Sequence, residues 1–348
     1  MNILVAMSGG VDSSVAAALL ARAGHDVVGV TMRLWGGESD TGCCSVADVD
    51  DARRVAQQLG IDHVVFNFTD DFAAHVVEPY VDAHANGTTP NPCVECNRRI
   101  KFARLTERAA LLGFDAVATG HYARIGRRDG RRTLERGADR AKDQSYVVHM
   151  LGQDELATTL FPVGEYADKD DVRQVAASLG LRTAAKPDSQ DVCFITSTGG
   201  RPAFLGRRLS LHPARVVDSA GRRLGALPSV ELVTVGQRKG LGLPGGGPKR
   251  YVLDVDRRSG TVIVGSDAEL RRDALRAEDP TWVDGAVTGP VLVQCSAHGC
   301  AEPAQLTLVD GVVDVRWDEP QRRVAPGQSV VFYDVSDRYV LGGGVCAT

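Results

Sequence analysis

No apolar run among the 348 residues approaches the length of a membrane span. The short apolar stretch after Met1 lacks a preceding basic region, so it does not read as a secretory leader, and a cytoplasmic protein with no membrane partner is expected. Eight cysteines are too few in so long a chain to form a disulfide scaffold; in a reducing compartment they point to catalysis or metal. No internal repeat and no low-complexity tract is present. Two familiar phosphate-binding signatures are missing as well. There is no G-x4-G-K-[ST] loop, and no G-x-G-x-x-G with the spacing of a dinucleotide fold.

What is present is ordinary in bulk and uneven in charge. A content of 43% hydrophobic and 24% charged residues is that of a globular protein, and the length predicts two or three domains. The net charge is −4, yet ten Lys or Arg stand against two Asp or Glu between residues 201 and 250, a local +8. Such a block in an acidic chain fits a polyanion partner or a solvated arginine face.

The most informative stretch is Ser8-Gly9-Gly10-Val11-Asp12-Ser13-Ser14. It follows an unbroken apolar run, Ile3 to Met7, that reads as a buried parallel strand. Val15, Ala16, Leu19 and Leu20 then recur at helical spacing, with Asp12 or Ser13 as the expected N-cap. Gly9 and Gly10 permit positive φ and close approach of a ligand to the backbone. The free amides of the helix start carry the positive end of its dipole, which makes an anion site. An ordinary serine-capped turn is the alternative. The S-G-G-x-D-S pattern resembles that of the PP-loop ATP pyrophosphatases, with Ser8, Ser13 and Ser14 adding hydroxyl donors.

Further strands are expected at Asp26 to Met32, His63 to Phe68 and Asp115 to Thr119. Helices are expected over Asp48 to Leu59, Phe72 to His84, Ile100 to Leu112, Tyr146 to Met150 and Lys169 to Leu179. The alternation argues for an α/β, doubly wound parallel sheet over residues 1–200. Arg124 to Arg140 reads as an exposed hairpin or loop. Short β-like runs then predict a small β-rich domain over 201–276 and a β-barrel over 277–348.

In Asn91-Pro92-Cys93-Val94-Glu95-Cys96-Asn97 the two cysteines lie one turn apart if Pro92 opens a helix, where a thiol is the better nucleophile. A structural zinc site would need a second C-x-x-C or a histidine pair, and none has that spacing.

Six motifs in order give the chain a specific resemblance. They are the glycine loop, Asn91-Pro92-Cys93-x-x-Cys96-Asn97, Thr119-Gly120-His121-Tyr122, Lys142-Asp143-Gln144-Ser145-Tyr146, Ser189-Gln190-Asp191-x-Cys193-Phe194 and Gly236-Gln237-Arg238-Lys239-Gly240. The chain resembles the bacterial tRNA-specific 2-thiouridylases of the MnmA type over essentially its full length. That resemblance implies replacement of the C2 oxygen of a wobble uridine by sulfur, after ATP has adenylated the oxygen, with release of AMP and pyrophosphate. It implies Cys193 as the persulfide carrier and Cys96 as the resolving thiol. ATP would lie on Ala6, Met7, Ser8, Gly9, Gly10, Val11, Asp12 and Ser13, with Met32 and Gly120 lining the adenosine and Mg²⁺ accompanying the triphosphate. The anticodon loop would meet Asn91, Pro92, Cys93, His121, Lys142, Asp143, Gln144 and Gln328, and the basic block its phosphates. A persulfide donor protein or relay is the implied second partner. Some members carry aspartate where this chain has Cys93. Cys93 could therefore be a spare thiol or a metal ligand, and Cys93, Cys96 and Cys193 could together hold an iron–sulfur cluster. Cys43-Cys44 is expected to sit in a loop without chemistry.

Overall fold

A computed structural model describes residues 1–35, 45–188, 192–195, 199–243 and 247–347. Its centre is β1 (Asn2–Ala6), whose alternate side chains serve two different cores. Ile3 and Val5 enter one with Val15, Val55 and Val172; Leu4 and Ala6 enter the other with Val30, Phe72, Ile100 and Leu105. Period-two alternation between two apolar layers explains the unbroken hydrophobic run in the sequence. Each fully buried aliphatic of this kind stabilises the fold by roughly 1.5–3 kcal/mol.

In chain order come β2 (Asp26–Arg33), β3 (Asp62–Asn67), β4 (Ala116–Ala118), β5 (Ala123–Arg128), β6 (Arg131–Arg136) and β7 (Thr159–Leu160). The parallel sheet has the order β3-β2-β1-β4-β7. β1 thus has an earlier-built wing on one side and a later-built wing on the other, and the crevice outside its carboxyl end is the switch point where open α/β sheets bind ligands. Helices α1 (Val11–Arg22) and α2 (Val46–Leu59) make the first crossovers. Ser45 caps α2 by accepting the Asp48 N–H at 3.1 Å, and Gly60 closes it at φ +68°.

Three helical stretches depart from the sequence pattern. The expected helix Phe72 to His84 runs as Thr69–Phe72, a π segment Ala73–Val77, and Glu78–Asn86. The expected helix Ile100 to Leu112 begins instead at Pro92, because Asn91 Oδ1 accepts the Cys93 N–H at 3.0 Å and caps it. It passes through a second π segment, Cys96–Arg104, before Leu105–Leu111. A π turn breaks the 3.6-residue period, so the apolar spacing conceals this start. Tyr146 to Met150 is replaced by a short 3₁₀ turn, Ser145–Val148.

The middle unit is a four-stranded sheet of β8 (Ala214–Asp218), β9 (Arg223–Leu227), β10 (Tyr251–Asp256) and β11 (Thr261–Gly265), in the order β10-β11-β8-β9. The last unit comprises β12 (Arg271–Trp282), β13 (Gly289–Gln294), β14 (Glu302–Val309), β15 (Val312–Arg322), β16 (Ser329–Tyr333) and β17 (Tyr339–Cys346). Pairing of β12 with β17 closes these six strands into a barrel. β12 crosses the expected boundary at residue 276.

The arginine-rich segment is a hairpin but not a free one. β6 pairs with β17, so β5 and β6 extend the barrel sheet from within the N-terminal unit. The junction is locked by Arg136, whose side chain is only 7% exposed. It reaches Asp143 at 2.8 Å, Asp337 at 2.7 Å and Gln294 at 2.9 Å, and lies 3.6 Å over the Tyr333 ring. Burial works against the guanidinium, but Tyr333, Asp143 and Asp337 outweigh it and raise its pKa.

Candidate active site

The loop after β1 is held by glycine geometry. Gly9 has φ +72°, and a Cβ there would lie 2.4 Å from the Asp48 carbonyl oxygen. Gly10, not Asp12 or Ser13, is the N-cap of α1, in an extended conformation with no side-chain cap. The serines turn inward. Ser13 Oγ and Ser14 Oγ both donate to the Gly10 carbonyl, at 3.2 and 2.7 Å, and Ser13 Oγ accepts the Ser8 N–H at 3.2 Å. Ser14 is therefore part of the loop's internal frame rather than a phosphate donor. Ser8 is the half-buried hydroxyl that remains at the rim.

Ala6 and Met7 lead into this loop, with Met7 N–H bonded to the Val30 carbonyl at 2.8 Å. Met32 ends β2 and Gly120 follows β4, so they flank the carboxyl end of β1 on opposite sides. Gly120 packs on the start of α1: a Cβ there would meet Ser13 N at 2.7 Å and Asp12 C at 2.8 Å. Val11 is buried under the loop.

Asp12 accepts from Tyr122 Oη at 2.7 Å and Lys169 Nζ at 3.1 Å. Lys169 also meets Asp188 at 2.7 Å, as do Arg173 at 2.7 Å and Lys142 at 3.0 Å. Partial burial disfavours the Asp188 carboxylate, yet Lys169 and Lys142 hold its pKa at about 2. These groups line a cavity of about 470 Å³. No local spacing identifies Tyr122 and Lys169 as partners of Asp12, or Asp188 as a partner of Lys169; only tertiary contact unites them.

Two of the cysteines belong to the second core. Cys96 is buried in the cluster containing Phe72, Tyr80, Ile100 and Phe194, and Cys193 packs against that cluster. Phe194 centres the aromatics, 5.6 Å from Phe72, 5.7 Å from Tyr80 and 5.1 Å from Phe204. Cys93 is half-buried in the first turn of its helix, whereas Cys96 lies one turn further in. The helix-start argument for an activated thiol thus applies to Cys93 more than to Cys96. Burial pushes the Tyr80 phenol up, the adjacent Cys93 adds to that, and Arg201, hydrogen-bonded to it, opposes. Cys43-Cys44 and Ser189-Gln190-Asp191 lie outside the described residues.

Pro90, Asn91 and Pro92 line a cavity of about 540 Å³ between the cysteine helix and the barrel, closed on the far side by Gly327, Ser329 and Cys346. Gln328 reaches the same segment through a hydrogen bond to the Thr89 carbonyl, and Thr89 N–H is bonded to Pro326 O at 2.9 Å. The other four residues given to RNA are differently placed. Lys142 is exposed. Asp143 is committed to Arg136, Gly137 and Ser145, and Gln144 accepts the Tyr122 N–H at 3.0 Å. His121 is buried between Phe102 and Phe161 with Nδ1 2.7 Å from Thr119 Oγ1, and burial, aided by Lys101, drives its pKa well below the usual value.

Three family models match in succession: "tRNA methyl transferase HUP domain" over residues 1–197, "tRNA methyl transferase PRC-barrel domain" over 202–266 and "Aminomethyltransferase beta-barrel domain" over 272–346. Relatives bearing the description "tRNA-specific 2-thiouridylase MnmA" align almost end to end. The one from Roseiflexus castenholzii is 47% identical, with 99% of this chain and 98% of the relative covered. The one from Chloroflexus aggregans is 49% identical, covering 99% and 97%, and that from Mycolicibacterium gilvum 48%, covering 96% and 95%. The chain belongs to the MnmA family of tRNA-specific 2-thiouridylases.

The HUP domain match covers the glycine loop and the whole of the parallel sheet around it. Among the described residues no group of three or more His, Cys, Asp or Glu side chains is placed to hold a metal ion. Cys93, Cys96 and Cys193 therefore do not fit an iron–sulfur cluster in this arrangement. Mg²⁺ makes a lesser demand, since it is held chiefly by phosphates and water with one or two carboxylates. Asp12, at the mouth of the loop, is the carboxylate nearest in sequence to the glycines, and both of its oxygens already accept, from Tyr122 and Lys169. Among the described residues no helix is long and apolar enough to cross a membrane.

Proposed function

We propose that this chain forms 2-thiouridine at the wobble position of tRNA, in the cytoplasm, through an adenylated uridine and a cysteine persulfide. The observation that carries the reading is the packing of Cys96 and the Cys193 segment into one cluster on the sheet whose carboxyl end holds the phosphate loop.

A pyrimidine carbonyl oxygen leaves poorly, so it must first be activated. ATP lies with its phosphates on Ala6 to Ser13 and its adenosine between Met32 and Gly120. Backbone amides at the start of α1 stabilise the negative charge that develops as the uridine O2 attacks the α-phosphate and pyrophosphate departs. Mg²⁺ supplies further charge neutralisation on the triphosphate when bound. Cys193, loaded by a persulfide donor protein or relay, delivers its terminal sulfur to C2, and AMP leaves with the former carbonyl oxygen. The Cys96 thiolate then attacks Cys193 Sγ, forming the Cys96–Cys193 disulfide and leaving the transferred sulfur on the base. The disulfide needs an external thiol to reset it.

Asn91, Pro92 and Cys93, at the open cavity beside Gln328, receive the splayed base. Lys142 and the exposed Gln144 contact the RNA, while Asp143 and His121 shape the surface from within. Arg238, Lys239 and Lys249, all exposed, continue the phosphate track.

Mass spectrometry of tRNA from a strain lacking this protein tests the reading. Loss of 2-thiouridine, restored by the intact gene, is expected. Normal thiolation rejects it and favours a PP-loop ligase for a small molecule, which would need neither thiol.

A further inference from the structure

The glycine loop carries no lysine of its own, yet the fold brings one against it across 177 residues of chain. Lys186 lies in the stretch that follows the helix Lys169–Ser178. Its backbone is anchored there, because Arg173 Nη1 donates to the carbonyls of Ala184 and Lys186, each at 3.0 Å. The side chain reaches the loop, where Nζ donates to the Gly9 carbonyl at 3.0 Å, to Asp48 at 2.6 Å and to Asp51 at 2.7 Å. An ammonium has three N–H groups, and these three acceptors use them all. Lys186 thus has no donor left for a phosphate, which sets it apart from the lysine of a G-x4-G-K-[ST] loop.

Both carboxylates come from α2, the helix on which Gly9 packs at Asp48, and Asp51 also pairs with Arg182 at 3.0 Å. The Gly9 carbonyl shares a planar trans peptide with the Gly10 N–H, so the two point in opposite directions. Holding the carbonyl on Lys186 turns the Gly10 N–H away from the Lys186, Asp48 and Asp51 cluster. Gly10 is the N-cap of α1, and its amide has no intrahelical acceptor. The positive charge on the carbonyl also polarises the peptide and makes that N–H the stronger donor.

We propose that Lys186 is a positioning residue of the phosphate site: it touches the Gly9 carbonyl and not the nucleotide, and it sets the Gly10 N–H to donate to a phosphate of bound ATP. The inference rests on the proposed function only in placing ATP on the glycine loop, and it is independent of the thiols. Burial works against the Lys186 ammonium, but Asp48 and Asp51 outweigh it and raise its pKa, so the grip holds throughout the neutral range.

Calorimetric titration of the full chain with α,β-methylene-ATP and Mg²⁺, and separately with adenosine, tests it. Lys186→Met is expected to lower affinity for the triphosphate analogue about tenfold, the weight of one charge-assisted hydrogen bond, and to change that for adenosine less than about twofold. Lys186→Arg keeps a cation against Gly9, Asp48 and Asp51 and should stay within about threefold of wild type. Should Lys186→Met not fold, Lys186→Gln carries the comparison; it can donate to the Gly9 carbonyl without charge, and a loss of about fivefold is expected. Wild-type affinity for the analogue in folded Lys186→Met or Lys186→Gln overturns the proposal. So does an equal loss for adenosine, which would mean that the whole site has collapsed. A wild type that does not bind α,β-methylene-ATP rejects the nucleotide reading and the proposal together. Because the titration uses neither tRNA nor thiol chemistry, normal thiolation in a strain lacking the chain would reject the functional reading alone.

Discussion

At the scale of single residues the proposed chemistry rests on two thiols, Cys96 and Cys193, set beside a few buried ionisable groups. Cys193→Ser is expected to reduce 2-thiouridine formation to below about one per cent, while tRNA-dependent release of pyrophosphate from ATP persists. Cys96→Ser should give the same loss of product but permit the persulfide on Cys193 to be trapped. Chromatography of digested tRNA and a pyrophosphate assay separate these outcomes, and full activity of either variant would remove that cysteine from its role. Histidines set the acid limit of the fold. His84 and His149 have pKa values lowered to about 4, chiefly by burial. The unfolded chain takes up their protons below pH 6.5 while the native chain does not, so stability falls as pH drops from 6.5 to 4 and levels beyond. Each contributes roughly 3 kcal/mol across that window. Chemical denaturation at several pH values reads this slope, and His149→Gln should flatten it if the variant folds. A denaturation midpoint independent of pH between 6.5 and 4 would contradict the assignment.

At the scale of elements, the sheet and its first loop are nearly legible from composition. The run Ile3 to Met7 reads as a strand with apolar layers on both sides, and Gly9 and Gly10 permit a close backbone approach, with an ordinary serine-capped turn as the alternative. Gly120 illustrates what the pattern hides. Nothing in Thr119-Gly120-His121 announces that Gly120 rests on Ser13 and Asp12 across the crevice. Gly120→Ala should raise the KM for ATP and lower stability by about 1–3 kcal/mol, since the inserted methyl meets backbone that cannot yield without moving α1. Steady-state kinetics and a melting curve check both; an unchanged KM would detach Gly120 from the nucleotide site. For the cysteine helix, the start at Pro92 is legible in Asn91-Pro92, and what the pattern hides is its continuity: the π segment Cys96–Arg104 scrambles the spacing that would join it to the helix expected from Ile100.

At the scale of the whole molecule, the β5–β6 hairpin and the barrel form one sheet, so the N- and C-terminal units are not independent. Arg136→Met leaves the buried Asp143 without its cation, while Asp337 keeps Arg140, and is expected to cost about 3–5 kcal/mol. Two-state unfolding with wild-type stability in that variant would show that the junction carries no energy. In the proposed function the basic block of the middle unit acts through charge. Arg238→Ala and Lys239→Ala should weaken tRNA binding and reduce the salt slope by about one per cation removed, without altering ATP affinity.

The sequence by itself determined the class of fold, the phosphate loop and the two thiols. Each is written in local form: an apolar run, a pair of glycines, a cysteine beside a helix start. Tertiary structure alone decided which groups meet. It placed Lys186 on Gly9, Lys169 on Asp12 and Phe194 against the cluster holding Cys96, and it turned the arginine hairpin into a barrel edge. Those pairings depend on how layers stack and strands register. That information belongs to distances across the fold, and spacing along the chain does not encode it.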